Sequence, residues 1–143
     1  MLEKDTEQLM NQIKAADNFE KLFEEHQPYL INEEIKDYLA KMLQEKKLKK
    51  ISVIRAAEIS EVTGYQYFDG KRKPSREKVL ALAIGFGLTV EETNELLKKT
   101  GYAQLYPKHH WDAILIFGIS HNFSIMEMNE RLFEAGFLTL SEC

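Results

Sequence analysis

The stretch ISVIRAAEISEVTGYQYFDG, Ile51 to Gly70, runs directly into Lys71-Arg72-Lys73-Pro74-Ser75. Its apolar spacing predicts two short helices joined by a tight turn, then a basic loop that launches a third helix. Ser60 suits the N-cap of the second helix and Gly70 suits its stop. Between them Glu61, Val62, Tyr65, Gln66 and Asp69 fall on the outward side, and Tyr67 and Phe68 on the inward side. Charge is concentrated here. Residues 46–78 hold ten Lys/Arg against four Asp/Glu, and the rest of the chain holds nine against nineteen, so a patch near +6 sits in a body near −10. Charge segregated this way can meet a polyanion although the 143-residue chain is acidic overall, at −4.

A helix presented in this manner fits the major groove of a duplex, where its first turns reach base edges. Lys71, Arg72, Lys73 and Arg76 then lie in position to grip phosphates, and Ser75 opens a helix whose exposed amides also suit a phosphate. The run Lys46-Lys47 and Lys49-Lys50 has a simpler reading as a solvated helix end; beside the basic loop it reads as part of the same patch.

Working outward, apolar residues recur at three- and four-residue spacing almost throughout, and no strand pattern stands out. An amphipathic segment from about Glu3 to Ala16 carries Leu9, Ile13 and Ala16 on one face. Phe19, Leu22 and Phe23 belong to a short second segment, broken at His26-Gln27-Pro28. Asn32 suits the cap of a longer helix with Ile35, Leu39, Met42 and Leu43 inward. Beyond the basic loop the chain repeats itself: residues 78–105 and 113–140 align without a gap at an offset of 35. Leu80 falls on Leu115, Ile84 on Ile119, Asn94-Glu95 on Asn129-Glu130, and Leu97 on Leu132. Thr89-x-x-Glu92 and Ser124-x-x-Glu127 are both capping boxes. Gly101-Tyr102 and Gly136-Phe137 both read as left-handed stops followed by an apolar residue that packs back. Each unit is helix, turn, helix, stop. The tryptophan, tyrosine and proline pattern of tetratricopeptide repeats is absent, so the plainer reading is a duplicated hairpin extending the preceding core.

At Gly70-Lys71-Arg72-Lys73-Pro74-Ser75, at Tyr67-Phe68-Asp69-Gly70 and at Gly87-Leu88-Thr89-Val90-Glu91-Glu92, the chain resembles the Cro/lambda-repressor type of helix-turn-helix protein, the XRE family, over roughly residues 32–97. The resemblance implies an all-α fold. A lambda-repressor-like DNA-binding domain would occupy residues 32–107, extended by N-terminal helices at 1–31 and a C-terminal helical hairpin at 108–143. It further implies a sequence-specific, double-stranded-DNA-binding transcriptional regulator with the 60–69 helix in the major groove. Base-facing roles fall to Lys50, Glu61, Val62 and Tyr65, and phosphate roles to Lys71, Arg72, Lys73 and Arg76. Such proteins commonly bind as homodimers on two-fold sites, and either the 113–137 hairpin or the N-terminal helices would supply the contact. Three positions depart from the family pattern. Glu58 stands where a small turn residue is usual, Ile54 and Gly64 invert a small–large pair, and Leu43 and Phe68 replace an arginine–glutamate pair. Glu61 on the outer face either accepts from a cytosine amino group or marks a domain that has exchanged DNA for protein partners. In that alternative the 108–140 hairpin is the docking surface; in an intermediate case residues 1–31 mask the DNA-binding face.

Other chemistry is weakly represented. Trp111, Ile114, Leu115 and Phe117 form an apolar band that reads as core or as dimer contact. His109, His110 and His121 have neither ligand spacing nor cysteine partners, so no metal is expected. No nucleotide fingerprint or hydrolase triad occurs, and neither an enzyme nor a cofactor is expected. The single cysteine, Cys143, excludes an internal disulfide. The opening MLEKDTEQL is no secretory signal, and no apolar run reaches membrane-spanning length. These features suit a cytoplasmic protein.

Overall fold

The computed structural model describes residues 6–15 and 35–141. The chain divides into two compact units, Met1–Asn32 and Glu33–Cys143. In the first, helix α1 spans Thr6–Ala15. The expectations for Phe19, Leu22, Phe23, the break at His26–Pro28, the Asn32 cap and Cys143 lie outside the described residues. The second unit holds α2 (Ile35–Lys46), α3 (Lys50–Ala56), α4 (Glu61–Asp69), α5 (Arg76–Phe86), α6 (Val90–Lys99), α7 (His110–Ser120) and α8 (Ile125–Glu134). Every regular element among the described residues is helical, and none of these helices is long and apolar enough to cross a membrane.

One device ends each of the helices α2 to α8. The residues after them that turn left-handed are Lys47, Glu58, Gly70, Gly87, Gly101, Asn122 and Gly136, with φ between 53° and 84°. The amide that follows each one reaches back five residues, as from Leu48 to Leu43 (3.0 Å), Ile59 to Ile54 (3.2 Å) and Lys71 to Gln66 (3.0 Å). These bonds satisfy carbonyls that a helix end leaves orphaned. Glycine adopts this conformation freely, whereas Lys47 and Glu58 hold it at a cost of order 1 kcal/mol each. Glu58 thus occupies the left-handed position in the turn between α3 and α4, at φ 53°.

Helix α5 is central, packing on α3, α6 and α8. The approach to α3 is close: a Cβ on Gly85 would stand 2.6 Å from the Val53 carbonyl oxygen. Helix α4 lies against α2 and α3. Leu39, Met42, Val53, Ile54, Tyr67 and Phe68 are buried, and the core runs continuously through Leu80, Leu82, Leu96 and Leu97 to Leu115, Met128 and Leu132. Phe68 is buried and stacks obliquely on Phe86 (centroids 6.2 Å apart), while Leu43 packs against the core edge. The two positions that would carry an ion pair are therefore apolar packing positions.

The duplication seen in the sequence is a duplication of structure. Both capping boxes form, at Thr89/Glu92 and Ser124/Glu127. Asn94 Oδ1 accepts from the Leu105 amide and Asn129 Oδ1 from the Leu140 amide, both at 2.9 Å. Arg76 Nε donates to the Ala103 carbonyl (2.9 Å), and Trp111 Nε1 donates to the Leu138 carbonyl (3.3 Å). Each of these pairs is separated by the same 35 residues. The first box carries an extra charge contact: Lys46 Nζ lies 2.9 Å from Glu92. That ammonium, with the Thr89 amide, holds the Glu92 carboxyl below its ordinary value.

Candidate nucleic-acid interface

Ser60 starts α4 by accepting from the Thr63 amide (3.3 Å), and Gly70 ends it at φ 76°. Gly64, Tyr67 and Phe68 form the inner face. Gly64 is required by Ile54, since a Cβ at residue 64 would stand 2.6 Å from Ile54 Cγ2. The inverted size pair is a direct contact that seats α4 on α3. Seated in this way, α4 turns Glu61, Val62, Tyr65 and Asp69 outward. Val62 is 73% exposed and Tyr65 39%, so an apolar and an aromatic side chain stand on the solvent face of a helix whose reverse face is buried. Gln66 is only half-buried, and so contributes less to this surface than its sequence position suggests.

Two ion pairs fix α3 alongside α4. Arg55 reaches Glu61 (3.4 Å) at the start of α4, and Lys50 reaches Asp69 (3.8 Å) at its end. Both carboxylates on the outer face are therefore matched by a cation from α3. Arg55 belongs to this surface although nothing in the sequence singled it out; the only signal was a basic residue six positions before Glu61.

The loop after α4 is exposed at Lys71, Arg72 and Lys73 and anchored beneath. The Tyr102 hydroxyl donates to the Pro74 carbonyl (2.6 Å), and Lys73 Nζ stands 4.9 Å above the Tyr102 ring. Burial pushes the Tyr67 phenol above its ordinary value, and the Arg72 charge, close to the base of the helix, pulls the other way. Among the described residues no carboxylate pairs with Lys47, Lys49 or Lys71. Lys71, with Arg72 and Lys73, directly follows α4, and Lys47 and Lys49 are exposed in the turn before α3.

One of the phosphate-gripping roles expected from the sequence changes. Arg76 does not face outward. Its guanidinium forms a double contact with Asp112 (3.1 and 3.3 Å) and donates to the Ala103 and Gln104 carbonyls (2.9 and 3.3 Å). Asp112 also accepts from the Tyr106 amide (2.9 Å). With side chains 21% and 7% exposed, the pair locks the start of α5 to the start of α7. Four of the five guanidinium N–H donors are thus held by protein acceptors, which leaves one for a phosphate. The Ser75 hydroxyl opens α5, as its place in the sequence implies, by accepting from the Lys78 amide (3.3 Å). Lys78 reaches the Leu140 carbonyl (3.4 Å). The basic patch read from composition is therefore smaller in space than in sequence.

Elsewhere, His121 stacks on Phe117 (4.1 Å) and points Nδ1 at the Phe117 carbonyl (2.8 Å). Among the described residues no three His, Cys, Asp or Glu side chains gather as a metal site. No family model, characterised protein or solved structure matches the chain.

Proposed function

We propose that the protein is a sequence-specific, double-stranded-DNA-binding transcriptional regulator in which α4 enters the major groove. The observation that carries this reading is the outer face of α4, with Val62 and Tyr65 exposed on a rigidly seated helix and the Lys71-Arg72-Lys73 loop directly after it. An exposed valine suits a thymine methyl, and a tyrosine hydroxyl reaches a base edge or a phosphate. The loop supplies the sequence-blind grip that dominates affinity. Glu61 need not repel the duplex, because Arg55 already balances its charge. The resemblance to Cro/lambda-repressor helix-turn-helix proteins supports the same reading, and on that resemblance the residues 1–31 and 108–143 are additions to the DNA-binding core.

The second reading, a protein-interaction module that has lost DNA, is favoured by one observation: both carboxylates on the outer face of α4 engage cations that would otherwise meet phosphates. Capture of sheared genomic DNA at two salt concentrations separates the two. Wild type is expected to enrich a few fragments, less so at higher salt, and a Lys71→Glu, Arg72→Glu, Lys73→Glu variant is expected to enrich none. Well-folded wild type that enriches nothing at either salt would favour the interaction module.

A further inference from the structure

The hairpins α5–α6 and α7–α8 share their internal bonds, but one of their matching faces differs. In the first hairpin this face is covered by the helices that precede it. Gly85 of α5 lies against Val53 and Ala57, and Phe86 lies against Phe68 of α4. Val79 and Leu82 stand on the same stripe of α5 as Phe86, seven and four residues before it, and each is 1% exposed. On α6 the adjoining Leu96 is also 1% exposed, and one turn before it Glu92 holds Lys46 from the end of α2. The segment that supplies this lysine and the α3 contact is KKLKKISVIRAA, residues 46–57, with five Lys/Arg and no Asp/Glu. Moving 35 residues along the chain turns Val79, Leu82 and Leu96 into Ile114, Phe117 and Arg131. In the second hairpin these residues line an open groove of about 480 Å³, and Phe117 is 45% exposed.

We infer that the α7–α8 groove receives an amphipathic helix of a different protein, one that carries lysine or arginine along its polar edge. The first hairpin supplies the shape of the occupant, since a basic amphipathic helix covers the matching face there. Charge supplies the rest. Glu127, Glu130 and Glu134 are exposed and recur at i, i+3 and i+7, so they form one edge of α8, and Glu134 lines the groove. Among the described residues no cation pairs with any of the three. Glu127 is the counterpart of Glu92, which takes a lysine of the covering segment at 2.9 Å. Arg131 lies against aromatic faces, its guanidinium carbon 5.6 and 5.5 Å from the Phe117 and Phe123 rings. An apolar floor beside a row of carboxylates is the complement of a helix with apolar anchors at i, i+3, i+4 and i+7 and a basic flank. A second copy fits less well, because two such grooves face to face oppose carboxylate to carboxylate.

The inference stands apart from DNA binding, and its test contains no DNA. The probe is a labelled peptide of about 18 residues, long enough to form a helix alone, built of Leu, Ala and Lys with the leucines on one face. Its anisotropy is measured against the full chain. The Lys peptide should bind, less tightly as salt rises, and a peptide with Glu in place of every Lys should not. Ala113→Lys gives the groove the residue that its counterpart Lys78 already carries, so the hairpin should keep its fold. It should weaken binding of the Lys peptide about tenfold, and so should Glu130→Lys combined with Glu134→Lys. Glu95→Lys, at the exposed counterpart of Glu130 on the first hairpin, should leave binding unchanged. A Lys peptide that does not bind overturns the inference, as do two peptides that bind alike. So does an equal loss from Glu95→Lys, which would reduce the effect to net charge. Sedimentation covers the remaining occupant: self-association that Ala113→Lys abolishes would give the groove to a second copy and overturn the inference. None of these outcomes bears on capture of genomic DNA.

Discussion

Ile54 and Gly64 decide how α4 sits. The family pattern suggested that one large and one small residue had changed places, and the structure brings the two into direct contact. Taken alone, glycine inside a helix costs about 1 kcal/mol relative to alanine, so Gly64→Ala would be expected to stabilise α4. The Ile54 side chain reverses that sign, because the added methyl meets Cγ2 at 2.6 Å and the packed interior leaves it nowhere to go. Gly64→Ala should therefore destabilise the wild type by about 2 kcal/mol. In an Ile54→Ala background, where the space has been opened, the same change should stabilise by about 0.5–1 kcal/mol. Urea titration of the four proteins measures this. Equal effects in both backgrounds would show that the contact does not govern the packing. This detail was accessible from sequence through the inverted pair, whereas Arg76 was not. Its sequence neighbours are basic and exposed, and only the fold brings the buried Asp112, 36 residues away, to its guanidinium.

At the scale of elements, what the sequence disclosed depended on whether the side chain announced the backbone. Left-handed stops at Gly101 and Gly136 were readable because glycine favours that conformation, and the stop at Glu58 was readable only through comparison with a family pattern. Asn122 carried a weaker mark of the same kind and Lys47 none, yet both close their helices with the same bond. The repeat was readable because its side chains perform local tasks: the capping boxes act within four residues. The Asn94 and Asn129 bonds span eleven residues, and their role emerged only once the hairpins were folded. Each asparagine ties the amide of a buried leucine that follows its helix, Leu105 or Leu140. Asn94→Ala and Asn129→Ala should each leave one partly buried amide unpaired and cost about 1–2 kcal/mol. If the duplication is energetic as well as geometric, the two costs agree within about 0.5 kcal/mol. Thermal or urea unfolding tests this, and a loss confined to one position would mean that the hairpins are held by different forces.

At the scale of the molecule, the acidic body and the basic patch have opposing effects on a polyanion, and internal pairing further trims the patch. Arg76, Lys46, Lys50 and Arg55 are bound to carboxylates and Lys78 to the Leu140 carbonyl, which leaves Lys47, Lys49, Lys71, Arg72 and Lys73 as the cations to meet phosphates. Under the proposed DNA-binding reading, each neutralised phosphate contributes about −0.9 to the slope of log affinity against log salt, so five contacts give roughly −4.5 per copy. A chain using the whole compositional patch of ten cations would give about twice that. Lys71→Ala should then weaken binding to every sequence alike and reduce the magnitude of the slope by about 0.9 per copy. Val62→Ala should do the reverse, leaving the slope unchanged while reducing preference for the captured fragment over random duplex by about 1 kcal/mol, the scale of one lost base contact. Fluorescence anisotropy across several salt concentrations measures both quantities at once. The crossed pattern is what distinguishes a base-reading helix beside a phosphate-gripping loop from a surface that merely attracts polyanions: in the latter case both variants would shift affinity for all sequences together, and Val62→Ala would leave the preference intact.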